Sequence, residues 1–88
     1  MPKVTLYSTD YCPYCVRAKQ LLDRKGVAYE EIRVDKDPKL MREMMQRSQR
    51  RTVPQIFIDD QGIGGFEELA QLDGSGELDR LLGQANDP

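Results

Sequence analysis

Val4-Thr5-Leu6-Tyr7-Ser8-Thr9-Asp10-Tyr11-Cys12-Pro13-Tyr14-Cys15 joins a strand-like run to a helix start, and the only two cysteines of the chain stand at the junction. Residues 4–7 alternate and are rich in β-branched and aromatic side chains, which predicts a strand, and a central one. Residues 8–11 form a polar connection. Pro13 suits the first turn of a helix, where its missing N–H is no loss. Beyond it Cys15, Ala18, Leu21 and Leu22 fall near spacings of three and four, among Arg17, Lys19, Gln20, Asp23 and Arg24. That pattern is an amphipathic helix of about three turns, with Gly26 as its stop.

Outward from this stretch, residues 27–34 read as a second strand with Tyr29, Ile32 and Val34 as core candidates. Strand, crossover helix and strand at this spacing predict a right-handed parallel unit. Asp37 is a candidate N-cap and Pro38 a first helical position. Leu40, Met41, Met44 and Met45 give the second helix an apolar face, expected to pack in the core rather than to bind a ligand. Residues 48–54 are a basic, polar loop. Residues 55–59 form a third strand, Asp60-Gln61-Gly62 a hairpin turn and Ile63 a short fourth strand. Gly64-Gly65 fits either a tight turn or the close approach of a ligand. Phe66 opens a third helix with Glu67 and Glu68 in its first turn. Asp73-Gly74-Ser75-Gly76 breaks the pattern before a short last helix over 77–82, and residues 84–88 read as a frayed tail. The order β-α-β-α-β-β-α-α predicts an α/β fold: a small four-stranded mixed sheet with helices on both faces, as one domain over residues 1–88.

Eighty-eight residues suffice for one core. A net charge of −2 gives no reason to expect nucleic-acid binding. No run of about 18 apolar residues exists to span a membrane. The first residues carry no apolar leader, so the expected home is a reducing cytoplasm, where a purely structural disulfide is uncommon.

Two cysteines separated by two residues at a helix mouth point to redox or metal chemistry. Unpaired backbone N–H groups at a helix N-terminus favour a thiolate, and such cysteines can have a pKa of about 3.5–7.5 against a free value near 8.5. Cys12 is therefore the candidate nucleophile. Cys15, about one turn on, is the candidate resolving thiol that attacks a mixed disulfide on Cys12. No histidine exists in the chain, which excludes a Cys–His hydrolase. An inert pair of thiols remains an alternative. A structural zinc needs four ligands, so a metal site would need a dimer supplying four thiolates to zinc or an iron–sulfur cluster.

Cys12-Pro13-Tyr14-Cys15 after a strand, Thr52-Val53-Pro54 about 40 residues later and Gly64-Gly65 before an acidic helix start form a specific combination. With these motifs, residues 4–82 resemble a dithiol glutaredoxin of the bacterial glutaredoxin-3 type. The resemblance implies a thioredoxin-like fold with a cis Val53–Pro54 bond facing the cysteines. It implies glutathione as reducing co-substrate, with no tightly bound cofactor and no resident metal. It places a glutathione groove at Tyr14, Thr52, Val53, Pro54, Gly65, Phe66 and Glu67. Physical chemistry agrees. The Val53 backbone can pair with the cysteinyl part, and the helix start near Phe66 can hold the γ-glutamyl carboxylate. Glu67 can hold the ammonium, and Arg50 or Arg51 the glycyl carboxylate. Four positions depart from the pattern: Thr9 stands for a lysine, Gly62 for a histidine, Phe66 for a third cysteine and Glu67 for an aspartate. The implied partners are disulfide-containing or glutathionylated proteins, with ribonucleotide reductase as a family-level candidate, and the implied state is a monomer without nucleic acid or membrane. The rivals are a redoxin served by thioredoxin reductase, which Gly65-Phe66-Glu67 argues against, and an iron–sulfur dimer, which Pro13 argues against.

Overall fold

In the computed structural model, which describes residues 2–83, β1 (Val4–Ser8) is buried along its whole length. Helix α1 (Pro13–Arg24) follows, then β2 (Glu30–Arg33), α2 (Pro38–Ser48), β3 (Gln55–Ile58), β4 (Gln61–Gly64), α3 (Phe66–Ser75) and α4 (Glu77–Leu81). The sheet order is β2-β1-β3-β4, with β1 parallel to β2 and antiparallel to β3, and β3 antiparallel to β4. The four-stranded mixed sheet is the one expected.

Strand alternation sends side chains to two separate cores. Val4, Leu6, Ile56 and Ile58 face α1, α3 and α4, where they meet Ala18, Leu21, Leu22, Leu69 and Leu78. Tyr7 and Phe57 point the other way, onto Met44 of α2, with Leu40, Met41 and Met45 packed around them. The methionine stripe is thus core packing. Tyr29 and Ile32 are half-buried and Val34 is buried.

Helix ends follow local chemistry. Pro13 opens α1. At its other end Gly26 adopts φ +70°, its N–H donates to the Asp23 carbonyl, and the Val27 N–H donates to that of Leu22. This double closure satisfies two carbonyls that the helix cannot. It also corrects the extent of the second strand. Val27 is tied to α1, so β2 pairs only from Glu30, although the Val34 N–H still bonds to the Ser8 carbonyl. Asp37 caps α2 by accepting from the Lys39 N–H at 2.9 Å.

Two further boundaries differ from expectation. The hairpin turn lies at Asp59-Asp60, not Asp60-Gln61-Gly62, because Ile58 pairs with Gln61 and Asp59 takes φ +55°. Aspartate tolerates that region better than most residues. Helix α3 runs through Asp73-Gly74 to Ser75, and the break is at Gly76, φ +83°. Lys25 at the end of α1 bridges Asp73 and Asp79, one on each side of that bend. Residues 84–88 lie outside the described residues.

Candidate active site

Strand register brings the sequence motifs together. Tyr7 at the end of β1 pairs with Gln55 at the start of β3, so the segment after β1 and the segment before β3 share one end of the sheet. Ile56 pairs with Gly64, which returns the chain to that same end as α3 begins. Cys12, Val53-Pro54 and Gly65-Phe66 are neighbours for this reason.

Cys12 is the N-cap of α1 and is joined to Cys15 in a disulfide, with Cα atoms 5.1 Å apart. The Cys15 N–H donates to Cys12 Sγ at 3.1 Å. Cys15 is 1% exposed, whereas Cys12 is half-buried and reachable from solvent. The Val53 carbonyl oxygen lies 3.8 Å from Cys12 Sγ, and the Val53–Pro54 bond is cis.

Beside the disulfide runs a cleft of about 290 Å³, at the lower end of small-molecule site sizes. All seven residues expected in the groove line it: Tyr14, Thr52, Val53, Pro54, Gly65, Phe66 and Glu67. Tyr14 and Phe66 close one side with ring centroids 6.2 Å apart, and the Arg17 guanidinium covers the Tyr14 ring at 5.3 Å.

Two more residues line the cleft, Arg50 and Glu68. Glu68 was read only as a helix-start acid. Its Oε1 accepts from the Gly65 N–H at 2.8 Å, and the Arg50 guanidinium approaches Oε2 at 3.5 Å. The Gly65 amide and then its own amide hold the Glu68 carboxyl below the ordinary carboxylate range; burial opposes them, and the Arg50 contact adds a lesser lowering. The three-residue offset between Gly65 and Glu68, an N-cap and an N3 acid, was the available sequence signal. Arg50, not Arg51, reaches the cleft, and it stands at the α3 end.

The glycines have separate reasons. Gly64 has φ +113°, and a Cβ there would lie 3.0 Å from the Glu68 side chain. At Gly65 a Cβ would meet both Glu68 Oε1 and the Pro54 carbonyl oxygen at 3.4 Å. Gly62 lies over Phe57, with a Cβ coming 3.2 Å from that ring.

A buried sulfur and a reachable one at the positive end of α1, opposite a cis-proline segment, define a dithiol redox protein of thioredoxin-like fold. Comparison narrows the class. The Glutaredoxin family model matches residues 4–63. Glutaredoxin 3 of Escherichia coli K12 is 51% identical over 82 residues, spanning 93% of this chain and 99% of that protein. Glutaredoxin of Pseudomonas aeruginosa is 49% identical over 82 residues, spanning 93% and 98%. The solution structure of glutaredoxin from Brucella melitensis superposes with TM-score 0.84 at 44% identity, covering 100% of this chain and 96% of that one. A buckwheat glutaredoxin–glutathione complex superposes with TM-score 0.86 at 30% identity, covering 94% and 78%. The chain belongs to the glutaredoxin family, the glutathione-dependent thiol–disulfide oxidoreductases. Among the described residues no helix is long and apolar enough to cross a membrane.

Proposed function

We propose that Cys12 is the nucleophile, Cys15 the resolving thiol and the cleft beside them the glutathione site, in a cytoplasmic monomer of one domain that acts on disulfide-bonded and glutathionylated proteins. The observation that carries this reading is the cleft itself, which runs from Val53, beside Cys12, to the start of α3.

The reduced enzyme carries Cys12 as thiolate, stabilised by the Cys15 amide and the α1 N-terminus. Its electron pair attacks the glutathione sulfur of a protein mixed disulfide. The new bond is Cys12–S–S–glutathione, and the departing protein sulfur keeps the old bonding pair and takes up a proton. A second glutathione thiolate then attacks the glutathione sulfur on Cys12, releasing oxidised glutathione and the Cys12 thiolate. For a protein disulfide, Cys12 forms a mixed disulfide with the substrate, and Cys15 displaces the reduced substrate to leave the Cys12–Cys15 bond.

Within the cleft the Val53 backbone pairs with the cysteinyl part, while Tyr14, Thr52 and Pro54 wall it. Gly65 lets the chain pass close, and the amides of Phe66 and Glu67 receive the γ-glutamyl carboxylate. Arg50 at the α3 end adds positive charge to that same carboxylate rather than to the glycyl one. Glu67 and Glu68 face the ammonium. Ribonucleotide reductase is the first protein substrate to test.

In turnover of a small glutathione mixed disulfide with glutathione, glutathione reductase and NADPH, Cys12→Ser abolishes activity and Cys15→Ser keeps much of it. After treatment with oxidised glutathione, the Cys15→Ser protein gains one glutathione, mapped to Cys12. Equal loss in both variants, or glutathione elsewhere, refutes the roles.

A further inference from the structure

Among the described residues three polar side chains are buried, Thr5, Ser8 and Gln55, and Gln55 is the largest of them at 1% exposed. Gln55 opens β3, beside Tyr7 of β1. Its side chain borders a cavity of about 180 Å³ that Arg47 and Ser48 of α2 also line, and it does not line the glutathione cleft. Burying a carboxamide costs free energy unless its polar atoms find partners. An apolar side chain of similar length would fill the same space without that cost, so the amide serves something other than packing.

What it serves is the loop before the strand. Gln55 Nε2 donates to the Thr52 carbonyl oxygen at 2.9 Å, and the Thr52 hydroxyl oxygen lies 3.4 Å from the same nitrogen. The Thr52–Val53 peptide unit is trans and planar, so its C=O and N–H point in opposite directions. Holding the Thr52 carbonyl toward buried Gln55 therefore turns the Val53 N–H away from the interior. Val53 lines the cleft, and among the described residues no backbone acceptor takes that N–H. The Val53 carbonyl belongs to the next peptide unit and faces Cys12 Sγ at 3.8 Å.

Resting on the proposed pairing of glutathione's cysteinyl part with the Val53 backbone, we infer that Gln55 is a positioning residue for the glutathione reaction, which touches no substrate and sets the direction of the Val53 N–H. Without its donor the Thr52–Val53 unit is free to rotate, and the N–H is presented to the cysteinyl carbonyl only part of the time. Glutathione then has to order the loop as it binds, which weakens binding. The Cys12 sulfur keeps its own support, the Cys15 amide and the α1 N-terminus, so its reactivity does not depend on Gln55.

The test uses two variants of the full-length protein. Gln55→Met keeps the volume and removes the donor. Gln55→Glu keeps the shape, and beside Arg47 and Arg50 its carboxylate is ionised at pH 7 and only accepts. In both, KM for the mixed disulfide of glutathione and mercaptoethanol rises about tenfold while kcat stays within about twofold, the size of one hydrogen bond. The control is single-turnover oxidation of the reduced protein by hydroxyethyl disulfide without glutathione. There Cys12 takes up one mercaptoethanol half, Cys15 displaces it, and two mercaptoethanol thiols leave with the protons of the dithiol. That disulfide has no peptide group to pair with Val53, so the variants react at the wild-type rate. An unchanged KM in the variants, or an equal fall in the glutathione-free rate, overturns the role of Gln55. The reading beneath it is tested separately in Cys15→Ser, where forming the Cys12–glutathione disulfide slows hydrogen exchange of the Val53 amide at least about tenfold. Exchange unchanged by glutathione would refute the pairing with Val53, and the inference with it; protection there with an unchanged KM in the Gln55 variants refutes the inference alone.

Discussion

At the scale of single residues, Glu68 links the two halves of the proposed site. It fixes the start of α3 through the Gly65 amide and meets Arg50 across the cleft. Glu68→Gln keeps the shape and an acceptor for Gly65 but loses the charge. The expected result is a rise of about three- to tenfold in KM for glutathione with little change in kcat, because a part-exposed charged hydrogen bond is screened. Its pH dependence has a definite sign. The folded pKa is lowered, so the stabilisation is full above the unfolded carboxylate value of about 4.3 and fades as pH falls through the folded value. Thermal midpoints of wild type and Glu68→Gln should differ at pH 7 and converge toward pH 3. A constant gap over that range would show that the charge is not what stabilises. Arg50→Ala should cost less than about 0.5 kcal/mol, as expected for an exposed pair. The motif residues were legible one by one. Cys12 and Pro13 announce themselves by chemistry and spacing, Cys15 by its apolar register, and the Val53-Pro54 pair only through the family resemblance. Glu68 was hidden because an acid in a first helical turn usually faces solvent. Only the backbone path through Gly64 and Gly65 turns it inward.

At the scale of elements, Gly64 sets where α3 starts relative to the cleft. A side chain there would be strained by the backbone and would also strike Glu68. Gly64→Ala should therefore destabilise by on the order of 1–3 kcal/mol and weaken glutathione binding together. A lower urea midpoint without any change in KM would mean that Glu68 had found another position. Element types were readable because strand alternation and helical spacing are strong over residues 4–24 and 38–58. Boundaries were less so. β2 begins late because Val27 closes the end of α1. The hairpin turns early because Asp59 both accepts from the Lys3 N–H and donates its own N–H to the Lys3 carbonyl. Helix α3 passes through Gly74 because Asp73 is held by Lys25. The hairpin and α3 differences arise from contacts distant in sequence, and the late start of β2 from the Val27–Leu22 closure at the end of α1, none of which strand or helix periodicity registers. The adjacency of the Cys12, Pro54 and α3 segments was likewise implied only by family resemblance, since it depends on the antiparallel pairing of β1 with β3.

At the scale of the whole molecule, the sheet carries the site on one end while helices on each face hold its strands in place. The α2 face is secured by a polar device inside an apolar core. The Tyr7 hydroxyl donates to Glu43 Oε2 at 2.6 Å and accepts from the Arg47 guanidinium at 2.8 Å. Arg47 also lies over the Phe57 ring at 4.1 Å and reaches Asp60 in the hairpin at 3.9 Å. Burial first, and the Glu43 hydrogen bond second, push the Tyr7 phenol above its usual value, with Arg47 pulling the other way. A raised folded pKa means that its contribution is complete below the unfolded phenol value of about 10 and is lost as pH rises through the folded one. Tyr29 is raised too, chiefly by burial, and contributes with the same sign. Tyr7→Phe should lower stability at pH 7 by about 1 kcal/mol, the net worth of a typical hydrogen bond. It should also flatten the fall of the unfolding free energy above pH 9.5, leaving the residual slope due to Tyr29 and to Lys25, whose ammonium is raised chiefly by its hydrogen bond to Asp73. Since Tyr7 is the penultimate residue of β1, four residues before Tyr11, the variant also asks whether the α2 face matters to the site. Retained turnover of a small glutathione disulfide at 25 °C, with reduced stability, would show that β1 alone positions Cys12. An unchanged alkaline slope in Tyr7→Phe would show that the phenol titrates only after the protein has unfolded.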